Sequence, residues 1–132
     1  MKKPPGHPTV FPYLMVADAA GLVRFLCDGL GAVEEGRTVA ADGRLANVRL
    51  RFGEDGVVMV AEVPPDQTPC RSTHYLYVED ADAAMARAVA AGGRMVLPVA
   101  DRPYGDRQGG VEDPSGTAWW ISQRLDDGPY ED

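Results

Sequence analysis

Two stretches decide the fold: YLMVADAAGLVRFLCDGLGA, Tyr13 to Ala32, and YLYVEDADAAMARAVAAGGR, Tyr75 to Arg94. Set one above the other, Tyr13 meets Tyr75, Leu14 meets Leu76, Val16 meets Val78, Asp18 meets Asp80 and Gly31 meets Gly93. Further along, EDGVVMVAE (Glu54 to Glu62) shadows PSGTAWWIS (Pro114 to Ser122). A chain written twice at roughly half its length builds one supersecondary unit twice.

Each half reads as strand, helix and then three strands. TVFPYLMV and STHYLYV are rich in β-branched and aromatic residues and predict strands. Asp18 and Asp80 follow them as helix N-caps, and Gly31 and the Gly92-Gly93 pair supply the stops. VEEGRTVA, RLANVRLRF and GVVMVAE predict the next three strands of the first half; RMVLPVAD, DRQGGVED and GTAWWISQ predict those of the second. Module 1 then covers about residues 9–62, a Pro-rich linker 63–71, module 2 about 72–123 and a polar, fraying tail 124–132.

Composition bounds the function. The chain has 132 residues, 45% of them hydrophobic, which suits one globular domain. A net charge of -7 gives no electrostatic footprint for nucleic acid or anionic membrane. No apolar run reaches the roughly 18 residues of a membrane span, and MKKPPGHPTV lacks the apolar core of a secretory signal. A cytoplasmic protein follows by default. Cys27 and Cys70 have no metal-type spacing and read as idle thiols, Cys27 in a helix and Cys70 in a loop.

The twin YL-x-V-x-D starts and the stretch YGDRQGGVEDPSG, Tyr104 to Gly116, resemble the vicinal oxygen chelate superfamily of glyoxalases and bleomycin-resistance-like binding proteins. The likeness spans about Thr9 to Gln123. It implies an α+β fold of two β-α-β-β-β modules, each curving a mixed sheet around a shared cleft with its helix outside, and pairing into a homodimer. Metal enzymes of this superfamily place ligands on the first and fourth strands of each module. Counted from V-x-D and from Gly56 and Gly116, those positions here are Phe11, Val60, Thr73 and Trp120. Divalent metals want imidazole, carboxylate or thiolate donors, so no metal and no cofactor is expected.

Strand parity supplies the lining instead, because neighbouring residues face opposite ways. Phe11, Tyr13 and Met15 share the cleft face of the first strand, and Thr73, Tyr75 and Tyr77 that of the fifth. Trp120 and Ser122 face the cleft while Trp119 is core. Asn47, Arg49 and Glu62 are polar points, and the Tyr104–Arg107 loop rims the opening. Such rings suit a flat aromatic ligand, or they fill the sheet interior or a dimer interface. The favoured function is therefore a non-catalytic binder that sequesters an aromatic antibiotic. Two alternatives stand: a metal-assisted or metal-free lyase, isomerase or hydrolase of the same superfamily, the metal-free version using Glu62 or His74 as base, and an accessory domain that binds a metabolite or a protein.

Overall fold

The computed structural model describes residues 1–69 and 71–130. Cys70, expected in a loop, lies outside the described residues. The chain divides into two compact units, Met1–Cys27 with Gly31–Cys70, and Asp28–Leu30 with Arg71–Asp132.

The first unit runs β1 (Tyr13–Val16), α1 (Ala19–Leu30), β2 (Val33–Val39), β3 (Leu45–Phe52) and β4 (Gly56–Glu62). Its sheet has the order β1-β4-β3-β2, with β1 parallel to β4 and the other pairs antiparallel. The second unit repeats this as β5 (Thr73–Tyr77), α2 (Ala81–Ala90), β6 (Arg94–Asp101), β7 (Asp106–Glu112) and β8 (Ala118–Arg124), in the order β5-β8-β7-β6. The fold is thus α+β, with duplicated modules and two four-stranded mixed sheets.

The helices begin where the caps predict. The Asp18 carboxylate accepts the Gly21 N–H at 2.9 Å, and Asp80 accepts the Ala83 N–H at 3.0 Å. Each satisfies a donor that the first turn leaves open, worth about 1 kcal/mol. The first strand is shorter than TVFPYLMV suggests. Pro8 and Pro12 have no N–H to give a ladder, so β1 starts at Tyr13, although the Pro12 carbonyl still accepts the Met59 N–H at 3.0 Å.

Cross-strand partners point the same way, so the register assigns faces. In the first sheet Leu14 pairs with Val60, and Val60 with Val48; all three are buried. Tyr13 pairs with Met59, and Met59 with Arg49, on the opposite, tyrosine-bearing face. This corrects the expected register of β4. Val60 lies in the core, Glu62 pairs with Val16 on the same side, and Met59 takes the place meant for Val60. The cause is turn length. Three residues, 53–55, join β3 to β4, whereas five, 113–117, join β7 to β8. The turn glycine with φ +59° is Gly53, equivalent in role to Gly116 at φ +87°, while Gly56 is already in the strand. Counting from Gly56 slips by one residue, and one residue flips the face.

In the second sheet the parity matches the expectation. Trp119 is buried beside His74 and Val111. Trp120 pairs with Tyr75 and Gly110 on the other face. The turn before β8 is locked by the buried Asp113, whose carboxylate accepts the N–H groups of Ser115 and Thr117 and the Trp119 indole N–H, the last at 2.8 Å. α2 covers the Trp119 face: a Cβ on Gly109 would come within 2.9 Å of the Met85 methyl.

Candidate functional site

The tyrosine face of the first unit holds a cavity of about 600 Å³. Its floor is Phe11, Met59 and the stem of Arg49, and residues 1–9 fold over it. Phe11 is steadied by an edge-on His7 ring, centroids 5.6 Å apart. Volume and an apolar floor suit a small organic molecule.

The charges in this cavity share one sign. Lys2, Lys3 and Arg49 line it, and no Asp or Glu does. Arg49 and Arg51 stand two residues apart on the same face of β3 and differ in their partners. Arg51 pairs with Glu35 at 2.9 Å, and that hydrogen bond from Arg51 holds the Glu35 carboxyl below its usual range. Arg49 has no carboxylate within ion-pair distance among the described residues; it donates only to the Asn47 amide oxygen, at 3.3 Å. Its guanidinium lies across Gly36 on β2, where a side chain would collide with it.

The tyrosine face of the second unit is arranged differently. Asp106, the first residue of β7, is fully buried. One carboxylate oxygen accepts Tyr75 Oη at 2.5 Å, Ser122 Oγ at 2.7 Å and Tyr130 Oη at 2.7 Å. The other accepts Arg124 Nη1 at 2.9 Å. Desolvation pushes this carboxyl up, but the four donors outweigh it and hold its pKa at about 2. Desolvation, and then the bond to Asp106, raises Tyr75 in turn. The tail expected to fray folds back here. Tyr130 bonds Tyr77 at 2.6 Å, and its ring lies 4.2 Å from the Arg124 guanidinium carbon. A second cavity, about 470 Å³, opens between Tyr104, Arg124 and Gly128.

The expected site residues therefore divide. Phe11, Tyr13, Met15, Asn47 and Arg49 belong to the tyrosine side of the first unit, with Phe11 and Arg49 in the cavity. Thr73, Tyr75, Tyr77 and Trp120 share the tyrosine face of the second. Val60 and Glu62 stand on the wrong side of the first sheet, as above. Tyr104 donates to the Gln108 side chain at the edge of the second cavity. Arg107 is a second correction. It pairs with Gln123 on the α2 side and bridges Asp82 at 2.8 Å and Asp101 at 2.9 Å, so it clamps the helix start instead of rimming the tyrosine face. Met59, Asp106, Arg124 and Tyr130 were missed. The turn-length difference would have revealed Met59; no local pattern marks Asp106.

The residues present do not fit the metal of the superfamily's enzymes. With β4 in its observed register the four positions hold Phe11, Met59, Thr73 and Trp120, and among the described residues no cluster of three or more His, Cys, Asp or Glu forms a cation site. Neither candidate base faces a cavity described above. His74 accepts or shares a proton with Ser72 Oγ at 2.8 Å, packs on Trp119 and has its pKa lowered by burial, with Asp113 opposing. Glu62 sits beside Val16. No helix among the described residues is long and apolar enough to cross a membrane.

Comparison with known proteins agrees with this architecture. Two mycobacterial proteins described as uncharacterized, Rv0887c of Mycobacterium tuberculosis and Mb0911c of Mycobacterium bovis, are each 36% identical over 129 residues. The match covers 90% of this chain and 76% and 85% of theirs. Among solved structures, TioX from Micromonospora sp. ML1 superposes with a TM-score of 0.68 at 28% identity, covering 88% of this chain and 99% of TioX. TnmS3, an antibiotic binding protein from Streptomyces sp. CB03234, superposes at 0.69 with 21% identity, covering 89% of this chain and 99% of its own, a likeness of fold alone. The family model for the Glyoxalase/Bleomycin resistance protein/Dioxygenase superfamily matches residues 6–121, and the chain belongs to that superfamily.

Proposed function

We propose that the chain is a non-catalytic binding protein that sequesters an aromatic small molecule, a natural-product antibiotic or a similarly toxic compound. The observation that carries this is the cavity of the first unit, an apolar floor with a guanidinium in no ion-pair contact and no paired acid and base. Phe11 and Met59 offer stacking and thioether–aromatic contact, Arg49 a directional donor. The tyrosine face of the second unit carries rings of its own, Trp120, Tyr75 and Tyr77. Abundance and affinity alone would protect a cell, by lowering the free concentration of the compound. That role places the protein in the cytoplasm, beside the targets of such compounds. The antibiotic-binding description of TnmS3 is consistent with this reading.

The exposed edge strands β2 and β6, which carry Val33, Val39, Met95 and Val96 at the surface, support pairing of two copies. Light scattering at twice the monomer mass would agree, and a monomer would end that part of the reading. The binding itself is tested by calorimetric titration with a panel of aromatic antibiotics, with the recovered compound analysed by mass spectrometry. Saturable binding with the compound returned unchanged is expected. Conversion of the compound would make the protein an enzyme, and silence across the panel would remove the proposal.

A further inference from the structure

The cavity of the first unit says more about its occupant than that it is aromatic. We infer that the ligand carries an anionic group, a carboxylate, sulfonate or phenolate, which pairs with Arg49 while its ring lies on Phe11 and Met59. This deepens the proposed binding function and rests on it.

Three observations converge. The whole chain is acidic, yet every charged side chain lining this cavity is cationic: Lys2, Lys3 and Arg49. The local charge therefore opposes the global one and favours an anion in this cavity. Second, β3 presents two arginines on one face; both lie in the field of Glu35 on β2, but only one of them makes an ion pair with it. Glu35 spans to Arg51, with contacts at 2.9 and 3.0 Å, and leaves Arg49 to a single long bond donated to the Asn47 amide oxygen. A half-buried guanidinium over apolar side chains with donors to spare is a group awaiting an acceptor, since unpaired charge is costly away from water. Third, the space it occupies exists because β2 carries Gly36 directly across from it. Any larger residue would displace the guanidinium. Cation, apolar floor and clearance together fit a flat ring bearing an acid group, bound through paired N–H···O contacts at one end and ring contact at the other.

The test uses three naphthalenes of one size and different charge: 1-naphthoate, 1-naphthamide and 1-naphthylmethylammonium, each titrated calorimetrically into the intact chain. Naphthoate should bind about tenfold or more tighter than the amide, the amine weakest, and added salt should erode the preference. Arg49→Gln should bring naphthoate down to the amide. Arg37→Gln, which removes one positive charge from β2 at a side chain paired with Glu34, should leave the preference intact. Equal binding of all three, or a preference for the amine, overturns the anionic inference while the aromatic-binding function survives. A preference that persists in Arg49→Gln overturns the assignment to Arg49. If none of the three binds and the antibiotic panel is also silent, the functional reading falls and this inference with it. If the panel binds but naphthoate alone among the three fails, the anionic inference falls by itself.

Discussion

The two tyrosine faces descend from one pattern and use it in opposite ways. Their registers superimpose: Tyr13–Met59–Arg49 across the first sheet corresponds to Tyr75–Trp120–Gly110 across the second. Where the first unit sets a short methionine beside an arginine, the second sets an indole beside a glycine whose missing side chain makes room for it. The first face keeps a charge outside ion-pair contact and a cavity above it. The second consumes its polar groups internally, four donors converging on Asp106. One face leaves its cavity open, and the other completes itself with its own tail.

The sharpest way to break this contrast is to remove the acid at the centre of the second face. Asp106→Asn leaves Arg124 and two tyrosine hydroxyls short of their acceptor in a dry place, and should cost about 3 kcal/mol in urea unfolding. A loss below about 1 kcal/mol would mean that the network is decoration. The same group sets an acid limb. Its folded-state pKa of about 2 lies below the ordinary 3.8. Its stabilisation is therefore complete above about pH 4 and is lost as the pH falls towards 2, amounting to about 2 kcal/mol. Stability measured across that window should slope in the parent chain and flatten in Asp106→Asn.

Next in size is Gly110→Ala. The new Cβ would stand 2.8 Å from the Trp120 ring and 3.3 Å from Leu97 Cβ. A rigid indole with β7 beneath it has little freedom to yield, so a loss of about 1–3 kcal/mol is expected, with a shift of Trp120 emission. Unchanged stability would show the second face to be looser than its contacts imply.

What the sequence reveals follows the same divide. The duplication, the caps at Asp18 and Asp80 and the opposite fates of Trp119 and Trp120 are local patterns, and local patterns survive folding. The face of β4 is not local. It depends on whether the preceding turn holds three residues or five, and Gly56 imitates Gly116 closely enough to conceal the difference. Asp106 was the least legible. In YGDRQ it looks like a loop acid, because its burial is created by Tyr75, Ser122, Arg124 and Tyr130 arriving from three other parts of the chain. Arg107 beside it reads as equally free, and Asp82 at the start of α2 claims it.

Tyr130→Phe is a gentler cut into the second face. It keeps the ring on Arg124 and deletes the hydroxyl that joins Tyr77 to Asp106. Thermal unfolding should report about 1 kcal/mol, with naphthoate binding at the first unit unaltered. A change in that binding would show that the two faces do not work independently.

The smallest effect on stability is expected where the first face is altered, at Gly36→Ala. A Cβ there collides with the Arg49 guanidinium, as Gly110→Ala collides with Trp120, but the obstacle is the free end of a long flexible side chain. Gly36 does not have a positive φ, so alanine fits the backbone. The fold should change by less than about 0.5 kcal/mol, because Arg49 can swing aside without leaving a buried partner unpaired. Binding should not be so tolerant. A displaced guanidinium loses its place over the Phe11 and Met59 floor, and the preference for naphthoate over naphthamide should shrink several-fold. The same substitution, on an inner strand of one sheet and on the edge strand of the other, would then harm folding in the second unit and recognition in the first. If Gly36→Ala costs as much stability as Gly110→Ala, Arg49 is held as firmly as Trp120, and the first face is no more open than the second.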